Sequence, residues 1–420
     1  MKMFLVGLIT FGTAFADVVT DWNAVMRTTV SAESPQAQSR FAAITHLAVF
    51  EAVNAITKDH KPYLGTITAA EGATPEAAAV AAAHRVLRNY FPASAVNLDA
   101  ARVSSLSAIP DSPSKTAGLA VGEAAAAAMI ALRANDGSGT PMPYTPSNAV
   151  GFWQPTPPAF AAGAFFHWGK VTPFGIARVD QFRPKPPPAM TSGEYRRDYN
   201  EVKEVGGVFS TDRPQDRADV ARFASMTSPV PLWNSVAVQV SAAQRTPLTE
   251  NARLFALLNM AICDASIAVF EAKYFYQFWR PVTAIRAGDT DGNPKTDPDP
   301  IYTPFINTPP YPSHPSGFGG LSNAARYVLE GFFGGGRQPA ITLSLAALPG
   351  VTLRYTKFRQ ITDDIADARV YGGIHFRFEQ DAAEVLGRRV ARYVQKHNLR
   401  CTRGGSCDDR EESKDDEDEQ

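Results

Sequence analysis

From residue 36 to residue 134 the chain runs through successive apolar stretches at helical spacing. Ser34-Pro35 opens the first run, 36–58, in which Phe41, Ile44, Leu47, Ala48, Phe50 and Val53 mark one face. Alanine-rich runs follow at 75–92, 94–108 and 113–134, separated by Pro92 and by the stretch from Pro110 to Pro113. Alanine is the best helix former, and Asn135-Asp136-Gly137-Ser138-Gly139 is a helix stop. The spacing predicts further helices at 192–206, 214–227, 232–244, 321–333, 354–371 and 377–397. A long one spans 249–279, with Thr249 as its cap. Valine-rich alternating strands are absent from this reading. The class is therefore all-α: one large domain, residues 17–400, of two helix bundles packed together. At 420 residues and 45% hydrophobic content the chain can bury a core of that size.

Two stretches break the pattern. Residues 140–190 are rich in proline and aromatics, among them Trp153, Phe165, Phe166, Trp168 and Phe174. Disordered linkers are poor in aromatics, so this segment is expected to pack over something. Residues 287–312 form a second loop; its Asp289, Asp291 and Asn293 lack the spacing and the closing glutamate of a calcium loop.

The ends carry other information. Lys2, the apolar run Met3 to Phe11 and Ala14-Phe15-Ala16 follow the order of a secretory leader, so residues 1–16 are expected to be removed as a signal peptide. The mature protein would then be secreted or periplasmic, and soluble. Cys401 and Cys407 flank a flexible loop that could close in an oxidising compartment, whereas Cys263 lies in an apolar helix and reads as a buried small hydrophobe. Residues 401–420 make up this loop and an acidic tail. Charge is nearly balanced, 41 basic residues against 42 acidic, which gives no general case for nucleic acid or for a membrane surface. Residues 408–420 hold nine acidic and two basic residues, leaving the body mildly basic, which suits a small anion.

Three segments carry chemistry. In Pro309-Pro-Tyr311-Pro-Ser-His314-Pro-Ser316-Gly317 the prolines fix an extended arm that runs into a helix, where free N–H groups and the dipole favour an anion. Lys273 and Arg280-Pro281 lie seven residues apart. On a continuous helix that puts both cations on one face, roughly 10.5 Å apart along the axis, close enough to reach around one tetrahedral anion. Arg369 precedes Gly372-Gly373 and His375, where a diglycine breaks the helix, turns the imidazole and lets the backbone approach a ligand. Each segment alone also reads as ordinary structure: a capped helix, an amphipathic helix with solvated bases, a lone histidine. Asp264, nine residues before Lys273, reads as a polar helix position facing solvent or as a residue orienting a site arginine.

Taken together, the three segments resemble the vanadium-dependent haloperoxidases, within the phosphatidic acid phosphatase type 2 superfamily. That pattern is a lysine with six residues before Arg-Pro, then Pro-Ser-Gly-His, then an arginine with five residues before a histidine. Phe50-Glu51-Ala-Val-Asn54-Ala-Ile56, Trp168-Gly169-Lys-Val-Thr-Pro173-Phe174 and Tyr371-Gly372-Gly373-Ile374-His375-Phe376 extend the likeness to the secreted bacterial branch. The resemblance implies vanadate as cofactor, with phosphate able to occupy the same site. It implies His375 as the residue bound to the metal, with Lys273, Arg280, Ser316, Gly317 and Arg369 holding the oxyanion. Lys273 and His375 would be catalytic, and the partners would be hydrogen peroxide, a halide and a small organic acceptor; by analogy a homo-oligomer is allowed.

Phe318 departs from the pattern, because it stands where the family has its acid–base histidine and cannot move a proton. His314, four residues earlier, is the candidate replacement. Tyr311 falls where members vary around the halide, and Ala368 stands where a serine is common. Two other functions fit the same residues: an acid phosphatase with His375 as nucleophile, and an impaired oxyanion-binding protein.

Overall fold

The computed structural model describes residues 17–402. Among them are thirteen α-helices and one two-stranded hairpin, so the expected all-α class holds. The expected leader, residues 1–16, and the acidic tail lie outside the described residues. Cys401 is disulfide-bonded, its expected partner Cys407 falls outside the described residues, and Cys263 is buried and free.

The amino-terminal bundle is α1 (Val18–Thr29), α2 (Pro35–Thr57), α3 (Pro75–Tyr90), α4 (Ala95–Ser107) and α5 (Pro113–Leu132). Ser34 caps α2 with Pro35 in its first turn, as the sequence predicts. Helix α1 was not expected. Its start is a reciprocal cap between Asp17 and Thr20, and its apolar face is short. Helices α3 and α5 approach closely because Gly118 and Gly122 offer no side chain: a Cβ there would lie 2.3 Å from Thr74 O and 2.2 Å from Ala78 O. Glu51 and Asn54 serve this bundle. The Glu51 carboxylate accepts the N–H groups of Tyr63, Leu64 and Gly65, and Asn54 ties down the backbone of His60.

Next come α6 (Gly193–Gly206), α7 (Gln215–Ser225), α8 (Pro229–Gln244) and α9 (Leu248–Tyr276), then the short α10 (Pro281–Arg286). The second bundle joins α9 to α11 (Gly317–Phe333), α12 (Phe358–Val370) and α13 (Arg377–His397). Helix α9 is apolar on every face and packs on both bundles, which makes it the axle of the molecule. By length and composition it could cross a membrane, as could α5. However, 94% of its most apolar window is buried by its neighbours, so α9 is a core helix.

Two expectations are corrected here. Helix α9 starts after Pro247 without a Thr249 cap and stops at Tyr276, where Gln277 takes a left-handed turn (φ 52°). A hairpin that periodicity missed pairs β1 (Ile341–Ser344) with β2 (Thr352–Tyr355); each strand is only four residues long.

The segment 140–190 packs, as its aromatics predict, and it packs on α9. Trp153, Trp168 and Phe174 are buried, and Trp168 donates its indole N–H to Ser266 Oγ at 3.1 Å. Asp264 neither faces solvent nor orients a site arginine. It is fully buried and accepts the backbone N–H groups of Phe174, Gly175 and Ile176 at 2.6, 2.6 and 2.9 Å. Burial nevertheless raises its pKa to about 6.

Candidate functional site

The extended arm from Pro309 to Ser316 runs between the end of α9 and the start of α11. Its prolines have no N–H to enter a ladder, so its carbonyls remain available to side chains. Tyr311 O accepts Arg280 Nε at 2.9 Å, while Pro312 O and Ser313 O accept Lys273 Nζ at 2.9 and 2.7 Å. Phe278 O takes the Ser313 N–H at 2.9 Å, stitching the arm to the strand-like exit from α9.

Lys273 and Arg280 come together by a route the sequence did not predict. The helix has ended by Gln277, so Arg280 arrives on an extended segment rather than on the next turn. What joins them is Tyr311: Lys273 Nζ lies 5.3 Å and Arg280 Cζ 5.1 Å from the centre of its ring. Both cations are fully buried.

The third segment closes the site from α12. Arg369, buried in the last turn, lays its guanidinium over the Phe318 ring at 5.3 Å. The diglycine turns the chain as expected, but its close approach is to protein rather than to a ligand. Gly373 has φ +78°, and a Cβ there would meet Gly206 O at 2.2 Å and the Tyr302 hydroxyl at 2.7 Å. Ile306 crowds Gly372 in the same way.

His375 follows, and its two nitrogens have different partners. Nδ1 lies 2.6 Å from Glu379 Oε2, and Nε2 lies 3.1 Å from Arg280 Nη1. That carboxylate oxygen also accepts the Phe376 N–H at 3.0 Å and the Ser313 hydroxyl at 2.8 Å. An oxygen accepting a backbone N–H takes the Nδ1 proton as well, which leaves the lone pair on Nε2. Burial, then the charges of Arg280, Lys273 and Arg369, hold His375 far below its usual pKa, so it is neutral. Burial lifts Glu379 to about 7 against the pull of Lys273 and Arg280. Sequence reading missed Glu379 and Ser313. Glu379 sits one helical turn beyond His375, a spacing that could have flagged it; Ser313 offered no signal.

The start of α11 completes the surroundings. Ser316 caps the helix by accepting the Gly319 N–H, and its own N–H goes to Glu379 O at 3.1 Å. The amides of Gly317 and Phe318 stand in the first turn, where no intrahelical partner exists. His314 is buried nearby. Its Nε2 meets Lys185 O at 3.0 Å, its ring neighbours Tyr276 and Phe378, and its Nδ1 has no partner among the described residues. Burial lowers its pKa to about 4.

Lys273 and Arg280 thus face the buried Glu379 carboxylate, Arg369 lies over Phe318, and part of the arginines' hydrogen-bonding capacity is unused. Arg280 Nη2 and Arg369 Nε and Nη2 are buried without a partner among the described residues. Leaving such donors dry is costly, so the arrangement suits a bound anion. A bare divalent cation suits it poorly, since no cluster of three or more His, Cys, Asp or Glu side chains occurs among the described residues.

Residues 253–404 match the vanadium chloroperoxidase (VCPO) second helical-bundle domain. All of Lys273, Arg280, Ser316, Arg369 and His375 lie inside the matched residues, as does Glu379. The chain is also similar to the vanadium chloroperoxidase of Curvularia inaequalis, 34% identical over 94 residues, 20% of this chain and 15% of that protein. The match therefore spans under two thirds of that relative's length. Among solved structures, a bacterial vanadium-dependent iodoperoxidase superposes with TM-score 0.77 at 24% identity, over 91% of this chain and 96% of that one. The apo form of a bacterial vanadium-dependent chloroperoxidase gives 0.69 at 17% identity, over 87% and 95%. The holo form of a bacterial vanadium-dependent chloroperoxidase gives 0.67 at 18%, over 93% and 99%. The vanadium haloperoxidase fold thus extends over both bundles.

Proposed function

We propose that the protein is an exported, vanadate-dependent haloperoxidase-like enzyme that oxidises halide with hydrogen peroxide. The observation that carries this reading is the pairing at His375. A neutral imidazole directs its Nε2 lone pair at Arg280, and the neighbouring nitrogen of the same guanidinium is buried and unpaired. A tetrahedral oxyanion whose central atom accepts that lone pair would take up the unused donors.

The donor set fits vanadate: His375 Nε2 would be the ligand, and Lys273, Arg280 and Arg369 would neutralise the oxygens. The Ser316 hydroxyl and the Gly317 N–H would donate to them. When bound, vanadate supplies activation of hydrogen peroxide as a two-electron oxidant. The residues supply the rest. Glu379 retains the Nδ1 proton so that Nε2 stays a lone-pair donor. Lys273, fixed by its two carbonyl contacts, would supply positive charge where charge gathers on the oxidant; burial and then Arg280 hold its pKa well below the usual lysine value, and a bound oxyanion would favour its charged form. Phe318 transfers no proton. His314 Nδ1 is then the remaining imidazole nitrogen able to do so, and with a pKa of about 4 it carries a proton only in acid. Hypohalous acid leaves to a small organic acceptor. Export rests on the leader sequence and is supported by the Cys401 disulfide.

The test is to add orthovanadate, measure its binding by calorimetry, and assay peroxide-dependent halogenation of a phenol. Saturable binding with halogenation, both lost in His375→Ala, supports the proposal. Undiminished vanadate affinity in that variant refutes the ligand assignment. A neutral imidazole among cations is also a nucleophile for phosphoryl transfer. Hydrolysis of an aryl phosphate without vanadate would favour the phosphatase, and tight phosphate binding with neither activity would leave an oxyanion-binding protein.

A further inference from the structure

Of the three cations, two are tied to the backbone and one is not. Lys273 Nζ donates to Pro312 O and Ser313 O, and Arg280 donates to Tyr311 O and to Ile374 O. Arg369 is as buried as they are, yet its Nε and Nη2 have no partner and no carboxylate pairs with it among the described residues. Burial lowers its pKa to about 10, which leaves it charged at neutral pH. What lies against it is an aromatic ring: Cζ of Arg369 is 5.3 Å from the centre of Phe318. Phe318 packs in turn against Val220 and Ala224 of α7 and against Ala368, the residue before Arg369. The two departures from the haloperoxidase pattern, Phe318 and Ala368, therefore meet in one apolar contact.

We infer that Phe318 is the positioning residue for Arg369, holding its Nε–Nη2 fork ready for two oxygens of one oxyanion. The inference rests on the oxyanion-site reading, and it gives the side chain at 318 a part in grip where the pattern has proton transfer. The electrostatics require such a support. Phe318 is in the first turn of α11, whose unpaired amides form the positive end of the helix dipole. A guanidinium beside that end, and within reach of the Arg280 charge, is pushed away from two sides. The face of a ring carries negative charge density, and its attraction for a cation is strongest where water is excluded. A guanidinium laid over a ring also loses freedom to turn. Its two-pronged edge, Nε with Nη2, is the part that matches a pair of oxyanion oxygens, and those are the two nitrogens left without a partner. A histidine at 318 could move a proton but would set a polar, titratable ring into the contact with Val220, Ala224 and Ala368.

The test is calorimetric binding of inorganic phosphate and of orthovanadate to the whole protein. The wild type is measured beside Phe318→Leu, Phe318→Tyr, Arg369→Met and the double variant Phe318→Leu/Arg369→Met. Leucine keeps an apolar side chain at 318 and lacks a π face, so the melting temperature should fall by no more than a few degrees. We expect Phe318→Leu to weaken both anions roughly tenfold, and Phe318→Tyr, which retains the face, to stay within about threefold of wild type. Once Arg369→Met has removed the fork, adding Phe318→Leu should change affinity by less than about threefold, because the ring then has no cation to hold. A side chain that merely filled space would act the same with and without Arg369. Undiminished affinity in Phe318→Leu, an equal loss in Phe318→Tyr, or a tenfold loss that persists beside Arg369→Met overturns the inference and leaves the oxyanion site standing. Failure of the wild type to bind either anion overturns both.

Discussion

Glu379 determines which nitrogen of His375 is offered to an oxyanion, and it does so through one oxygen that also takes Phe376 N–H and Ser313 Oγ. Glu379→Gln keeps the shape but can present an amide N–H to Nδ1, which would put the imidazole proton on Nε2. We expect phosphate and vanadate affinity to fall roughly 10–100-fold by calorimetry, with the melting temperature changing far less. Glu379→Asp, a shorter carboxylate, should recover part of that affinity, because it preserves the tautomer and loses only reach. Residues of this kind are hard to read from a sequence. Lys273, Arg280, Arg369 and His375 stood out because cations at fixed spacing beside proline and diglycine are unusual. Glu379 and Asp264 are lone carboxylates in helical stretches, where most carboxylates meet water, and only the fold shows that both are dry.

Elements were legible where periodicity was long and hidden where geometry was local. The runs that became α2, α3, α5 and α13 kept an apolar stripe over many turns, so both their existence and their limits were apparent. The exit from α9 was not, because the sequence stays aromatic and helix-compatible through Trp279 while tertiary contacts end the helix at Tyr276. The turn between α12 and α13 shows the same dependence on packing. Its glycines are needed for contact with Gly206 and Ile306, and that contact sets the direction in which His375 leaves. Gly373→Ala places a methyl group into the Gly206 carbonyl at a left-handed position. The expected loss is more than about 3 kcal/mol in denaturant unfolding, with oxyanion affinity falling in the fraction that still folds.

Across the whole molecule, buried polar groups connect pieces that are distant in the chain. Asp264 clasps the 174–176 backbone to α9, so Asp264→Ala leaves three amides without an acceptor. We expect a loss on the order of 3 kcal/mol or more, and new protease cleavage between residues 140 and 190 in limited digestion. In the amino-terminal half, His46 stacks on Phe255 and bonds Asn23, which bonds Asn234, which in turn bonds Asn259. Burial lowers His46 to about 3 from an ordinary 6.5, so the folded protein keeps it neutral while the unfolded chain protonates it. Its contribution is present above pH 6.5 and is lost as the pH falls toward 3. Between pH 7 and pH 5 the wild type should lose about 2 kcal/mol more than His46→Gln in urea unfolding, and equal losses would contradict this account.

The hydrogen bond from Ser316 N–H to Glu379 O has a further consequence for biogenesis. It joins the cap of one helix to the opening turn of another that the ribosome makes much later, and the imidazole and its carboxylate arrive together on that later piece. A growing polypeptide therefore displays its lysine and first arginine before anything can complete the cradle around them. Capacity to capture an oxyanion appears abruptly, when the last long helix docks, and a chain interrupted before that point carries the cations without the grip.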